Sequence, residues 1–160
     1  MVLRCTARLL RLLRLQPAAS VPPGADDWYA NIVWASGRKC LLVAHAQTMF
    51  CAFAADVHVG ELRPLGRYVV TLVERELQAE GLAQDRLGPL DPGALVLART
   101  ADRRVLGNMN DFAFQAEFVI KDAGGLGTCD IATLNRYLRR IPFGRGGTFT
   151  SAAGLLSLTR

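Results

Sequence analysis

The feature that most constrains the fold is a pair of apolar segments joined by Ser36-Gly37. In residues 27–34 successive side chains alternate with period two, which places them on opposite faces of an extended strand. Ser36-Gly37 favours a tight turn, and residues 39–45 and 48–54 read as two further apolar strands. This order predicts an antiparallel meander, and therefore a sheet against which the rest of the chain packs.

Apolar residues at helical spacing predict four helices around this sheet. The first follows a short strand and is capped by Thr6. We expect the charged faces of the last helix and of the long helix in the middle of the chain to be in water. The strand is expected at residues 2–5, and the helices at 6–15, 61–80, 102–119 and from Thr128 or Asp130 to Pro142. The residues expected in water are Glu74, Glu76, Glu80, Arg136, Arg139 and Arg140.

These patterns predict a single α+β domain in residues 1–143. Its sheet is expected to be antiparallel or mixed, with four or five strands and with helices packed mainly on one face. Residues 94–98 are apolar at every position, as in a strand buried on both faces, so we expect this strand at the centre of the sheet. Residues 144–160 are rich in Gly, Ser and Thr and are expected to form a loosely ordered tail.

The composition indicates a folded protein with a basic surface. The chain is 51% hydrophobic and 21% charged, which excludes a disordered protein, and no apolar run reaches the roughly 18 residues of a membrane span. A net charge of +5 permits an acidic partner such as nucleic acid. Of the 19 basic residues only Lys39 and Lys121 are lysines, a choice that a bias in the coding sequence also explains.

The cysteines and histidines do not predict a metal site, because no C-x-x-C is present and His45 and His58 are not at ligand spacing. His45, at the end of a strand, is more typical of a hydrogen-bonded residue than of a catalyst. Neither a Walker A sequence nor a complete dinucleotide fingerprint occurs, so no cofactor is expected. Reduced thiols in a cytoplasm are the expected state of the cysteines.

The first helix carries Arg8, Arg11 and Arg14 on the side opposite its leucines. This stripe is either a solvated helix face or a surface for phosphates. Residues 1–25 contain Arg but no acid, as mitochondrial presequences do. The same residues also form a good first strand and helix of a domain, which is the interpretation that we prefer.

The densest polar stretch lies where the strand at residues 94–98 leads into the helix at 102–119. Arg99 and Arg103 flank the helix start, where free N–H groups favour an anion. Gly107 inside a helix costs about 1 kcal/mol relative to Ala, so its absent Cβ could allow a close approach to Arg103 and Asn110. The alternative is structural, with Asp102 as a helix cap and Gly107 making room for a crossing element.

Three segments together resemble a family of small bacterial proteins known as a domain of unknown function. They are Leu3-Arg-Cys-Thr6, Asp27-Trp28-Tyr29-Ala30-Asn31 and Asp102-Arg103-x-Val105-Leu106-Gly107-x-Met109-Asn110. The resemblance covers about residues 1–122 and extends to 135–142. It implies a bacterial cytoplasmic protein and supplies no activity. It also implies that Trp28, Asn31, Asp102, Arg103, Gly107 and Asn110 act as a unit.

The sequence leaves three hypotheses for function. The preferred one is a non-catalytic binding module that takes an anionic, nucleic-acid or protein partner through Arg99, Arg103 and Asn110. The second is an enzyme acting on a phosphate-containing substrate, such as a toxin-like nuclease, which requires Arg103 in one cleft with Asp102, His45 or another acid or base. The third is a subunit of a larger assembly that uses the face carrying Trp28 and Trp34.

Overall fold

The structure is a computed structural model that describes residues 1–145 and 147–157. Up to residue 138, its helices and strands follow the order that the sequence predicted. The strands are β1 (Val2–Cys5), β2 (Trp28–Ala35), β3 (Arg38–His45), β4 (Cys51–Ala54), β5 (Val96–Arg99), β6 (Phe143–Arg145) and β7 (Thr148–Thr150). The helices are α1 (Ala7–Leu13), α2 (Leu65–Ala79), α3 (Arg103–Asp122), α4 (Ile131–Leu138) and α5 (Ala152–Leu156), with a 3-10 turn at Pro92–Ala94.

Five of these strands form one mixed sheet in the order β4-β3-β2-β1-β5. The meander of β2, β3 and β4 is antiparallel, as predicted. Ser36 and Gly37 form its first turn with positive φ angles of 47° and 71°, the backbone that a two-residue hairpin turn requires. β1 pairs in parallel with both β2 and β5. The predicted α+β class with a mixed sheet is therefore confirmed.

The position of β5 differs from the prediction, because this strand lies at an edge of the sheet and not at its centre. Val96 is 41% exposed, and the carbonyl of Leu97 accepts a hydrogen bond from the Ala18 N–H at 2.8 Å. The loop after α1 thus covers part of this edge, as edge strands require. The apolar composition of residues 94–98 has another explanation than burial in the centre of the sheet, because Leu95 and Leu97 line a groove beside it.

Helices pack on both faces of the sheet, whereas the sequence predicted mainly one. One core joins the sheet to α1, α2 and α5, and it includes Leu9, Val69 and Leu156. The other core joins the opposite face to α3 and α4, and it includes Met109 and Leu134. Because β2, β3 and β4 are apolar on both of these faces, the sheet can hold two helical layers.

The free edge of β4 is covered by side chains of α4. The side-chain amide of Asn135 donates to the Phe53 carbonyl at 2.9 Å and accepts from the Phe53 N–H at 2.7 Å. One turn later, Nη1 of Arg139 donates to the Cys51 carbonyl at 3.0 Å. These bonds replace those that another strand would make, and they protect an edge that could otherwise pair with a second chain.

Three charged residues that were expected in water, Glu76, Glu80 and Arg139, have buried side chains. The Arg139 side chain is 0% exposed, and it donates to Glu76 Oε2 at 3.0 Å and to Glu80 Oε1 at 2.8 Å. Its guanidinium carbon also lies 5.0 Å from the Phe50 ring centroid. The prediction was wrong because the spacing of residues along a helix shows only which side lies opposite its apolar residues. It does not show that α2 and α4 meet past the edge of β4.

The segment after residue 143 also has more structure than the loosely ordered tail that was expected. β6 and β7 pair as an antiparallel hairpin, and α5 follows with Ser151 as its cap. Ala152 and Leu156, four residues apart, are buried in the core on the α1 and α2 side. The burial of these two apolar side chains holds the segment against the core, although most of its residues are small or polar. Residues 146 and 158–160 of the expected tail lie outside the described residues.

Candidate functional site

Trp28 and Asn31 have structural contacts rather than an open site. Trp28 is 1% exposed and packs against the His45 ring, with the ring centroids 5.1 Å apart. Asn31 faces the other way along β2, and its Oδ1 accepts a hydrogen bond from the Thr6 hydroxyl at 2.8 Å. Thr6 in turn caps α1 through the Leu9 N–H. Asn31 therefore fixes the start of α1.

Asp102 caps α3, as the structural alternative predicted. Its carboxylate accepts from the N–H groups of Arg104 at 2.8 Å and Val105 at 3.3 Å. Its own N–H donates to the hydroxyl of Tyr29 at 3.2 Å. The two motif segments thus meet through Tyr29, which the sequence placed on the opposite face of β2 from Trp28 but did not single out.

Arg99, Arg103, Gly107 and Asn110 do not converge with Trp28 on a cleft. All four are exposed, and the last three lie on the side of α3 opposite its buried residues. Apart from its chain neighbours and the nearby backbone of α3 itself, no described atom lies within 4 Å of the position that a Cβ on Gly107 would take. The expected close approach of another element to Gly107 is therefore absent within the described part of the chain.

His45 is a buried neutral residue. Its Nδ1 lies 3.0 Å from the Thr48 hydroxyl, and its Nε2 lies 4.0 Å from a carboxylate oxygen of Asp26. Burial lowers the pKa of His45 to about 4, against the opposing effect of Asp26 and Asp27. His45 borders a pocket of about 250 Å³ whose lining does not include Arg103. This pocket therefore does not bring the two residues together.

Arg4 is a basic residue fixed inside the fold. It forms an ion pair with Asp27, and it donates to the carbonyl groups of Arg99 at 3.0 Å and Val21 at 2.9 Å. A further bond reaches the Pro22 carbonyl at 2.6 Å. Since the guanidinium is surrounded by acceptors, Arg4 links β1 to the loop before β2 and offers nothing to a ligand.

A groove of about 770 Å³ lies between the end of α1, the start of α2 and the approach to β5. Leucines form its apolar wall, and Arg14, Arg63 and Arg67 are its charged residues. No acidic side chain is among the described residues that line it. We call this cavity the basic groove. Its full lining is Leu13, Arg14, Leu15, Leu62, Arg63, Pro64, Leu65, Gly66, Arg67, Pro92, Gly93, Leu95 and Leu97.

The N-terminus of α2 opens into the basic groove. Pro64 precedes the helix and makes no side-chain cap, and the first turn contains no acidic residue. The first N–H groups of a helix lack partners within the helix and carry a partial positive charge. This end therefore adds to the positive potential of the arginines.

Two residues hold the groove in shape. Nη2 of Arg63 donates to the Leu13 carbonyl at 2.8 Å, which ties the segment before α2 to the end of α1. At Gly66, a Cβ would lie 3.1 Å from Leu95 Cδ1. The missing side chain therefore allows α2 and the segment before β5 to pack closely, and Leu95 forms part of the wall between them.

The predicted basic stripe contributes only one residue to this groove. Arg14 lines it from the end of α1, whereas Arg8 and Arg11 do not. Sequence reasoning missed Arg63 and Arg67. Part of their signal was available, because two arginines flank Pro64 near the predicted helix start. The helix was predicted to begin at Glu61, whereas α2 begins at Leu65 and has no acid in its first turn.

The described residues give little support to chemistry by a cysteine thiol or to a metal site. Burial raises the pKa of Cys5 and Cys51 to about 12, so both thiols stay protonated near neutral pH. Within the described ranges, no group of three or more His, Cys, Asp or Glu side chains is placed to hold a metal ion. Each helix found there is also too short or too polar to cross a bilayer.

The fold defines the chain as an α+β domain in which helices cover both faces of a mixed sheet. The chain belongs to the family described as Domain of unknown function (DUF6933), which matches residues 2–152. The match includes the β6–β7 hairpin, which lies beyond the residues 1–122 and 135–142 for which a resemblance was stated. No curated protein matches the chain in sequence.

Proposed function

We propose that the protein is a non-catalytic binding module and that the basic groove takes an anionic partner. The observation that carries the proposal is the lining of the groove. Three arginines and the uncapped start of α2 face a cavity of about 770 Å³ whose described lining contains no acid. An anion in this position gains guanidinium contacts and helix N–H donors together.

The apolar wall narrows the chemistry of the ligand. Binding pockets for small molecules are usually about 300–1,000 Å³ and mostly apolar, with a few polar groups that fix orientation. The basic groove combines leucine side chains with three arginines. Its best ligand therefore has a phosphate or carboxylate group joined to an apolar body.

The same lining supports binding over catalysis. The described residues around the groove include no His, Cys, Asp or Glu, the side chains that most often transfer protons or attack a substrate. The alternative of an enzyme acting on a phosphate-containing substrate therefore has no acid or base at this position. A nucleic-acid partner would use the same arginines through its phosphates. We place the binding in a bacterial cytoplasm, where four free cysteines stay reduced.

Calorimetric titration of the full chain tests this proposal with hexyl phosphate, inorganic phosphate, hexyltrimethylammonium and a single-stranded oligonucleotide. We expect hexyl phosphate to bind more tightly than inorganic phosphate and the cationic amphiphile not to bind. Arg14→Glu and Arg67→Glu should each weaken binding by about ten-fold or more. Arg8→Glu is the matched control, because Arg8 is an exposed arginine of α1 outside the groove.

The outcomes separate the possible partners. Oligonucleotide binding that weakens steeply with salt and requires Arg14 and Arg67 would replace the small ligand by nucleic acid. Equal weakening by Arg8→Glu would show non-specific attraction to a basic protein and overturn the proposal. Absence of binding by every anionic probe would overturn it as well.

A further inference from the structure

One face of α3 is exposed along most of the helix. Arg103, Gly107, Asn110, Phe114 and Glu117 are spaced alternately by four and three residues, so they form a straight seam on the helix surface. All five are exposed, and Phe114 is 67% exposed. The buried residues of α3 lie on the opposite side. We call these five residues the α3 seam.

Contacts within the chain do not explain this surface. Arg103, Asn110 and Glu117 make no side-chain hydrogen bond or ion pair with the described residues. Phe114 has a neighbour, Phe118, that is 62% exposed one turn later. Two exposed phenylalanines on one helix are costly in water and are typical of an interaction surface.

The geometry points to a second copy of this chain as the partner, with the two α3 helices packed antiparallel about a two-fold axis through Asn110. In that arrangement Arg103 of one copy lies opposite Glu117 of the other. Gly107 of one copy lies within one residue of Phe114 of the other, an axial offset of about 1.5 Å, and the two Asn110 side chains meet at the axis. Each unlike pair occurs twice, so the seam is complementary to itself, as a two-fold interface must be.

Charge and shape favour this register over a parallel pair and over an antiparallel pair shifted by one turn toward Lys121. A parallel pair would set Arg103 against Arg103 and Phe114 against Phe114. An antiparallel pair shifted by one turn would bring Arg103 to Lys121, which carries the same charge. In the chosen register the absence of a side chain at Gly107 makes a notch for the Phe114 ring. Such a notch lets two helices approach to the shorter end of the usual 8–10 Å.

The seam is short, which sets the expected affinity. Residues 103 to 117 span about 21 Å of helix. A single helix pair of this length belongs to the small interfaces that dissociate readily. We therefore expect a reversible dimer that forms as the concentration rises from micromolar to millimolar, and not a permanent one.

Sedimentation equilibrium of the full chain over that concentration range tests the inference by charge exchange. Arg103→Glu and Glu117→Arg should each raise the dimer dissociation constant by about ten-fold or more, because each creates two like-charged pairs. The double variant Arg103→Glu/Glu117→Arg restores opposite charges and should return the constant to near that of the wild type. All of these side chains are exposed, so the variants should fold, which circular dichroism checks.

Phe114→Ser and Phe149→Ser form a matched pair for the apolar part of the contact. Phe149 is 84% exposed but lies on β7, away from α3. Only Phe114→Ser should abolish the dimer. A wild-type chain that stays monomeric at millimolar concentration would overturn the inference. So would a dimer that survives both single charge reversals, or a double variant no better than the singles.

Discussion

Arg139 and Arg67 are the same residue type in two regions that use it in opposite ways. Arg139 is fully buried between α2, α4 and β4, where two carboxylates and a backbone carbonyl accept its hydrogen bonds. Arg67 is exposed at the basic groove, whose described lining contains no acid. The comparison shows that neighbouring carboxylates, and not the residue type, decide whether an arginine holds the fold or remains available to a ligand.

The energetic consequence follows from solvation. A charge removed from water must be compensated by ion pairs and hydrogen bonds, and removing one member of a buried group leaves the others uncompensated. A charge at an open groove keeps its water and can exchange it for an anionic ligand. Substitutions in the interior should therefore change stability, whereas substitutions in the groove should change binding.

The largest effect is expected from Arg139→Met. This change leaves Glu76 and Glu80 buried without their main partner, so the free energy of unfolding should fall by about 3–5 kcal/mol. Urea denaturation measures it, with Arg136→Met on the exposed face of the same helix as the control. Replacing Glu76, Glu80 and Arg139 together by apolar residues should cost far less. A loss below about 1 kcal/mol in the single variant would contradict the burial of this cluster.

His45 gives a pH dependence of similar size. Its pKa is about 4 in the folded chain and 6.5 without burial, so the unfolded chain binds the proton first as the pH falls. The His45 contribution is therefore present above pH 6.5 and is lost progressively between pH 6.5 and about 4. The loss amounts to about 3 kcal/mol, seen as a fall in urea midpoint. The variant His45→Gln should show a flatter profile across this window, and an identical profile would refute the assignment.

Asn135→Leu should have a smaller effect, confined to the β4 edge. The variant removes both hydrogen bonds that the side-chain amide makes with Phe53, which leaves a buried N–H and a buried carbonyl without a partner. We expect a loss of about 2 kcal/mol in unfolding free energy and faster amide exchange at Phe53. Gln78→Leu serves as the control, because Gln78 carries an exposed side-chain amide on α2 and pairs with no strand. Unchanged exchange at Phe53 would mean that this edge is covered in another way.

The smallest change in stability is expected from Arg67→Ala. Arg67 is exposed, so the free energy of unfolding should stay within about 0.5 kcal/mol of the wild type. Hexyl phosphate binding, in contrast, should weaken clearly. If Arg67→Ala destabilises the chain as strongly as Arg139→Met does, the difference between the two regions disappears.

Local patterns were enough to predict much of the fold. The alternation of β2 and β3, the turn at Ser36-Gly37 and the stripes of α2 and α3 are each encoded by neighbouring residues, and all were found. The edge position of β5 and the burial of Arg139 depend on which elements meet in space. No spacing within one segment carries that information, because each partner comes from a distant part of the chain.

The candidate site was less accessible to sequence reasoning for the same reason. Asp102 could be recognised as a cap because its carboxylate accepts hydrogen bonds from the N–H groups of Arg104 and Val105, which lie close by in the sequence. The basic groove assembles Arg14 from α1 with Arg67 from α2 and Leu97 from β5, which are far apart in the sequence. The polar stretch from Arg99 to Asn110 looked like a site because its residues are close in the chain. The structure places Arg103, Gly107 and Asn110 on the exposed side of α3, whereas Asp102 and Arg104 line a separate pocket of about 370 Å³.

Amide chemical shifts during a titration with hexyl phosphate test the central claim most directly. The proposal predicts that the largest shifts fall on the amides of Leu65, Gly66 and Arg67 at the start of α2, and that they vanish in Arg67→Glu. The amides of Val105 and Leu106 at the start of α3 should not move, because the cap at Asp102 already occupies that helix end. Shifts centred on α3, or spread evenly over every arginine, would contradict the basic groove as the binding site.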